Sequence, residues 1–179
     1  IIIEEGASTR AVCRVYCEIT GENVSQTDAR YISEIAEGNI PGNAEAAKKA
    51  FATMGKTLGE AIATSATLID GLIVIGGGVM KAKKWIMPAL MQALHKTLRT
   101  MKDEKVNRMQ MKVYDLDNPE NFEEFSHGEV KRIKVYGQER YVDYDVQKRI
   151  GIGISRMGAN KAVSVGAYVF ALNQLDGID

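Results

Sequence analysis

The sequence predicts an α/β fold, and three observations carry that expectation. An apolar strand pattern, Asp70-Gly71-Leu72-Ile73-Val74-Ile75, runs into Gly76-Gly77-Gly78-Val79 and then into a helix. A long helical period precedes it. A second apolar strand, residues 150–154, follows later and leads into a closing apolar helix. Strands and helices alternating in this order belong to layered architectures with a parallel sheet. A length of 179 residues suits one domain or one substantial lobe. A chain of that size buries about 70% of its unfolded surface without staples.

The first third is helical. Ser8 or Thr9 caps a helix to about residue 19, and Gly21 stops it. Thr27-Asp28-Ala29 starts a shorter helix that Gly38 ends. From Ala44 to about residue 68, Phe51, Met54, Leu58, Ala61, Ile62, Ser65 and Ile69 recur at helical spacing. Gly55 and Gly59 fall on one side of that helix. A mid-helix glycine costs about 1 kcal/mol against alanine, so two point to close approach of another backbone or of a ligand, with tight helix packing the favoured reading.

Four aliphatic residues bounded by glycines predict a strand buried on both faces. It empties into Gly76, Gly77 and Gly78, and a helix over about 85–100 follows, with Pro88 placed in its first turn. Strand, glycine turn and helix is an arrangement that lets backbone N–H groups approach a ligand, and it is equally an ordinary tight turn. From Lys102 to Arg149 the composition shifts: 21 of 48 residues are charged, against 25 of the other 131. This stretch predicts a strand over 111–116, a turn or helix start at Asn118-Pro119-Glu120, and a hairpin of 133–136 with 141–144 around Gly137-Gln138. The expected organisation is a helical segment over 8–69, an α/β core over 70–101 and 150–179, and a charged β insertion over 102–149.

Composition excludes several functions. Lys+Arg and Asp+Glu are equal at 23 each, so no net basic field holds nucleic acid. No apolar run approaches about 18 residues, so no membrane span is expected. Cys13 and Cys17 are too few for a disulfide scaffold and lack zinc spacing, and they suit small buried side chains in a reducing cytoplasm. Gly55-Lys56-Thr57 imitates the end of a phosphate loop, but Ala50 stands where its first glycine belongs. Tyr136, Tyr141 and Tyr144 are better explained by cross-strand pairs than by base stacking, because acidic residues neutralise their surface. His95, on a helix with Lys96 and Arg99, and His127 have no nucleophile beside them. Glu4 and Glu5, on an extended segment, would face opposite ways. The chain opens Ile1-Ile2-Ile3 without Met or a signal pattern, as the interior of a longer polypeptide would.

Three segments, in order, resemble the ROK family of sugar kinases and repressors. Asp70 to Val79 followed by a Pro-containing helix resembles that family's C-terminal lobe. Ile2-Ile3-Glu4-Glu5-Gly6-Ala7-Ser8 resembles its Gly-Cys-x-Glu-x-x-Ala-Ser segment, and Gly158-Ala159-Asn160-Lys161-Ala162-Val163-Ser164-Val165-Gly166-Ala167 its closing helix start. The resemblance implies one lobe of an actin-like, hexokinase-type (RNase H-like) ATPase fold. It implies that Gly76, Gly77, Gly78 and Val79 lie against ATP in an interlobe cleft whose Mg2+ chemistry needs both lobes, with the helix of Gly55 and Gly59 beside it. Glu4 takes the place of a carboxylate that binds hydroxyls of a hexose, as an acceptor-only group can.

Many members carry a structural zinc whose last Cys stands where this chain has Ile2, so no zinc is evident here. The family's catalytic aspartate and first phosphate loop lie N-terminal to these residues, so the chain by itself is expected to be inactive. The leading expectation is the C-terminal lobe of a glucokinase-like sugar kinase, cytoplasmic and homo-oligomeric. The alternatives are a sugar-responsive ROK regulator, a non-catalytic sugar-binding relative or another actin-like ATPase.

Overall fold

The computed structural model describes residues 2–23 and 27–177, except the side chains of 159 and 160 within the closing motif. Its first three helices begin and end where local chemistry dictates. Helix α1, Thr9–Thr20, is capped by Ser8, whose hydroxyl accepts the Ala11 N–H at 3.3 Å. Helix α2, Ala29–Glu37, is capped by Asp28, which accepts the Tyr31 N–H at 2.7 Å. Helix α3, Ala44–Ala66, is capped by Asn43. Gly21 and Gly38 close α1 and α2 in left-handed conformations. Val12, Tyr16, Ile32, Ile35, Ala47 and Phe51 bury one apolar face of each helix in a shared core.

Strand β1, Ile73–Ile75, leads through the glycines to a 3-10 turn, Gly78–Ala82, and helix α4, Lys83–Leu94. Helix α4 lies against α3 so closely that a side chain on either glycine of α3 has no room. A methyl group on Gly55 would run into the carbonyl oxygen of Ile86, and one on Gly59 would stand 2.7 Å from that of Leu90. The two glycines therefore serve helix packing, by the approach of another backbone.

The expected helix over 85–100 starts and stops earlier. His95 ends α4, its N–H donating to the Met91 carbonyl at 2.9 Å. Thr97–Arg99 then forms strand β2, paired antiparallel with β3, Lys105–Asn107. Arg99 is thus not on a helix with His95, because pairing with β3 overrides local helical preference. Since α4 begins at Lys83, Pro88 sits in its second turn, where its ring leaves the Lys84 carbonyl without the usual helical donor.

The central sheet is parallel, in the order β1-β7-β4, with β4 at Lys112–Asp115 and β7 at Arg149–Ile154. Ile73 to Ile75 pair with Ile152 to Ile154, and Lys112 to Asp115 with Arg149 to Ile152. Ile150 and Ile152 are buried in the middle strand. The expectation that β1 is buried on both faces fails: Ile73 and Ile75 pack against the core, whereas Val74, on the opposite face of the sheet, is 68% exposed because no described element covers that face there.

The charged stretch divides. Strand β4 joins the core sheet, and Asn118 caps α5, Pro119–His127, with Pro119 in its first turn. Strands β5, Val130–Lys134, and β6, Tyr141–Asp145, form a hairpin. There Tyr144 faces Lys131 and Tyr141 faces Lys134, while Tyr136 stands fully exposed in the turn. Arg149 binds Asp145 at 2.6 Å and lies over the Phe125 ring, joining the hairpin base to α5. Helix α6, Ala159–Asp176, exposes Val163, Tyr168, Phe170 and Leu175. None of the described helices is long and apolar enough to cross a membrane.

Packing at Gly55 yields a direct test. Gly55→Ala should destabilise the fold by about 2 kcal/mol, although alanine is the better helix former, because the Ile86 backbone has to move. Urea unfolding measures it, and an unchanged midpoint would mean that α3 and α4 separate freely.

Candidate functional site

The three parallel strands point their carboxyl ends the same way, β1 and β7 ending level and β4 two residues earlier, and the crevice outside such ends is where open α/β sheets bind ligands. The glycine turn leaves β1 at that end. Ser155 donates its N–H to the Ile75 carbonyl at 2.8 Å, and a methyl on Gly76 would meet Ser155 at 3.6 Å. Gly77 has φ 103° and ψ 162°, a conformation left to glycine. Side chains placed on Gly77 or Gly78 would meet nothing within 4 Å, so the turn presents bare backbone to open space.

A cleft of about 630 Å³ adjoins this turn, lined by Thr9, Arg30, Phe51, Gly78, Val79 and Lys81 among others. A second cavity of about 710 Å³ is lined by Glu5, Arg10, Asp28 and Arg30. Thr9, Ala29 and Arg30 line both, so the two form one surface along the starts of α1 and α2. Of the residues singled out in the sequence, Gly78 and Val79 line the first cavity, whereas Gly76 and Gly77 precede it in the turn. Glu4 lines neither and meets the second through Arg10.

The segment carrying Glu4 is not extended. Ile3–Glu5 is a 3-10 turn, so Glu4 and Glu5 both reach the Arg10 guanidinium, at 3.0 and 3.5 Å, instead of facing apart. Both carboxylates are well exposed, so the pairing orients Glu4 more than it stabilises the fold. Arg10, Arg30 and Lys81 carry no sequence motif. Their relevance appears only when α1, α2 and the turn come together. Cys13 is a buried free thiol, and burial, with Cys17 next, pushes its pKa up, away from nucleophilic use. His127 is exposed, with Nδ1 2.8 Å from the Glu123 carbonyl. Among the described residues no cluster of three or more His, Cys, Asp and Glu offers a metal site.

The sequence profile of the ROK family matches residues 3–118. The chain belongs to the ROK family. The crystal structure of a glucokinase from Parabacteroides distasonis superposes with a TM-score of 0.82 at 46% identity, over 96% of this chain and 46% of that one. The chain therefore spans just under half the length of that glucokinase. No curated protein sequence matches. The likeness establishes the actin-like ATPase fold for this ROK chain, with its parallel sheet and flanking helices.

One more group in this ROK chain stands beside the turn. Asp117, two residues beyond β4, binds the Lys83 ammonium and accepts the Ile154 N–H at 3.4 Å. Lys83, first among the causes, holds the Asp117 carboxyl below its ordinary pKa. A depressed folded value means that this pair stabilises the protein above the unfolded carboxyl pKa and stops doing so as pH falls through the folded one. Asp117→Asn should therefore make the acid-side loss of stability shallower below about pH 4. Chemical unfolding across that range checks it; the change is small because the pair is partly exposed, and a steeper acid limb in the variant would contradict the pairing.

Proposed function

We propose that this chain is the C-terminal lobe of an ATP-dependent, glucokinase-like sugar kinase that transfers the γ-phosphate of ATP to a hexose hydroxyl. The observation that carries this reading is the 46% identity to a glucokinase, sustained over 96% of the chain. The site geometry agrees with it. The bare backbone of Gly76, Gly77 and Gly78, followed by Val79, suits the close approach of a phosphate-bearing nucleotide, and the adjoining cleft has room for one. ATP with Mg2+ supplies the phosphoryl group. Glu4 accepts hydrogen bonds from hexose hydroxyls, oriented by Arg10.

In this reading the catalytic aspartate and the first phosphate loop come from another lobe, and the chain alone is inactive. The long exposed helix α6 fits a lobe that expects cover. The intact enzyme works as a cytoplasmic homo-oligomer.

ADP release from ATP by the full-length protein, measured with glucose, mannose, fructose and N-acetylated hexoses, is the primary test. Release that depends on one sugar is expected. No release with any sugar, in a protein that still binds sugar, would point to a ROK regulator instead. Glu4→Gln should lower kcat/KM for the sugar by about 1.5–3 kcal/mol of transition-state stabilisation. Unchanged sugar kinetics would remove Glu4 from the site.

A further inference from the structure

The glycine turn is anchored at both ends by consecutive amides at the end of β7. At its start, Ser155 N–H holds the Ile75 carbonyl at 2.8 Å. At its finish stands Lys83, the first residue of α4, whose ammonium is bound by Asp117, and Asp117 in turn accepts the N–H of Ile154. Asp117 is itself fixed. Its N–H donates to the Asp115 carboxylate at 3.0 Å, and the neighbouring Leu116 N–H donates to the Ile152 carbonyl at 2.8 Å. Between the anchors, Gly77 and Gly78 face open space, while Met80 and Ala82 further along are buried in the core.

We infer that Asp117 is a positioning residue for the nucleotide-binding turn, acting through Lys83 to hold Gly76 to Ala82 against the ends of β1 and β7. This rests on the kinase reading only for what the turn binds; the positioning itself is a property of the fold. It assigns a role to the charged stretch, which delivers Asp117 to the sheet by way of β4. Lys84, Asp115 and Arg156 are the other charged groups around Asp117. The pair with Lys83 is partly exposed, so its share of global stability is small and its effect is local.

Two measurements on the full-length protein test this, with Asp117→Asn, with Lys83→Gln as a variant that breaks the pair from its other side, and with Asp117→Glu as the conservative replacement. Hydrogen exchange over residues 76–83 should quicken about fivefold in the first two, with exchange in α3 unchanged and with partial rescue by Asp117→Glu. Steady-state kinetics should show KM for ATP rising about fivefold while KM for the hexose stays fixed. Unchanged exchange in the turn, or faster exchange throughout the protein, would overturn the positioning role. Altered exchange with an unaltered KM for ATP would overturn its link to nucleotide binding. A wild-type protein without kinase activity would count against the kinase reading, and the exchange result would still decide the positioning.

Discussion

The contact of α4 with α3 across Gly55 and Gly59 sets the geometry on which the candidate site depends. Phe51 of α3 forms one wall of the cleft, and the turn that introduces α4 supplies another. Their separation is fixed by how near the two helix backbones can come. With a hydrogen atom in place of a side chain at 55 and 59, the carbonyls of Ile86 and Leu90 move in against α3, and Ile86 and Leu90 become fully buried. Polar contacts reinforce the same placement. Lys84 binds Glu37 of α2, and the ammonium groups of Lys48 and Lys84 lie 5.2 and 5.0 Å from the Trp85 ring. Dense apolar packing sets the distance, and these exposed pairs add orientation.

From that constraint the two cavities follow. The starts of α1 and α2 form their common wall, and Ser8 and Asp28, the caps of those helices, fix where Thr9, Ala29 and Arg30 stand. Arg30 and Lys81, which form no ion pair among the described residues, give the cleft beside the glycine turn positive charge on two sides, while Glu34 and Glu37 contribute opposite charge at the same rim. A site with both signs of charge and an apolar floor suits a ligand with a phosphate end and a polar, hydroxyl-bearing body. That is the chemistry of a nucleotide, in keeping with the kinase proposal.

Elements governed by neighbouring residues were legible in the sequence. The three capped helices, the strand that ends in glycines and the hairpin all follow from contacts within a few positions. Features that need distant partners were not. Thr97–Arg99 has the composition of a helix end and becomes a strand because Lys105–Asn107 lies beside it. Lys112–Asp115 sits in the most charged part of the chain and yet joins the core sheet through Arg149–Ile154. Glu4 and Gly76 to Val79 stood out as candidates because the segments around them resemble family motifs. Arg10, Arg30 and Asp117 did not stand out, because their places beside the cavities and the turn come from how α1, α2 and the end of the sheet meet.

The same physical demand recurs at the exposed end of the fold. Helix α6 has 18 residues, of which Lys161 and Asp176 alone are charged. A helix apolar around its whole circumference is stable only when covered, yet Tyr168 and Phe170 are 73% and 67% exposed. Burying each such ring is worth about 2 kcal/mol. The open face of β1 adds Leu72 and Val74 to this uncovered apolar surface. Phosphoryl transfer, for its part, needs a base and a second phosphate clamp, which the glycine turn and Glu4 do not supply. In the proposed kinase, one further lobe would meet both needs. Covering the apolar surface and completing the cleft would then be a single event, so a variant that weakens the cover of α6 would also loosen the site.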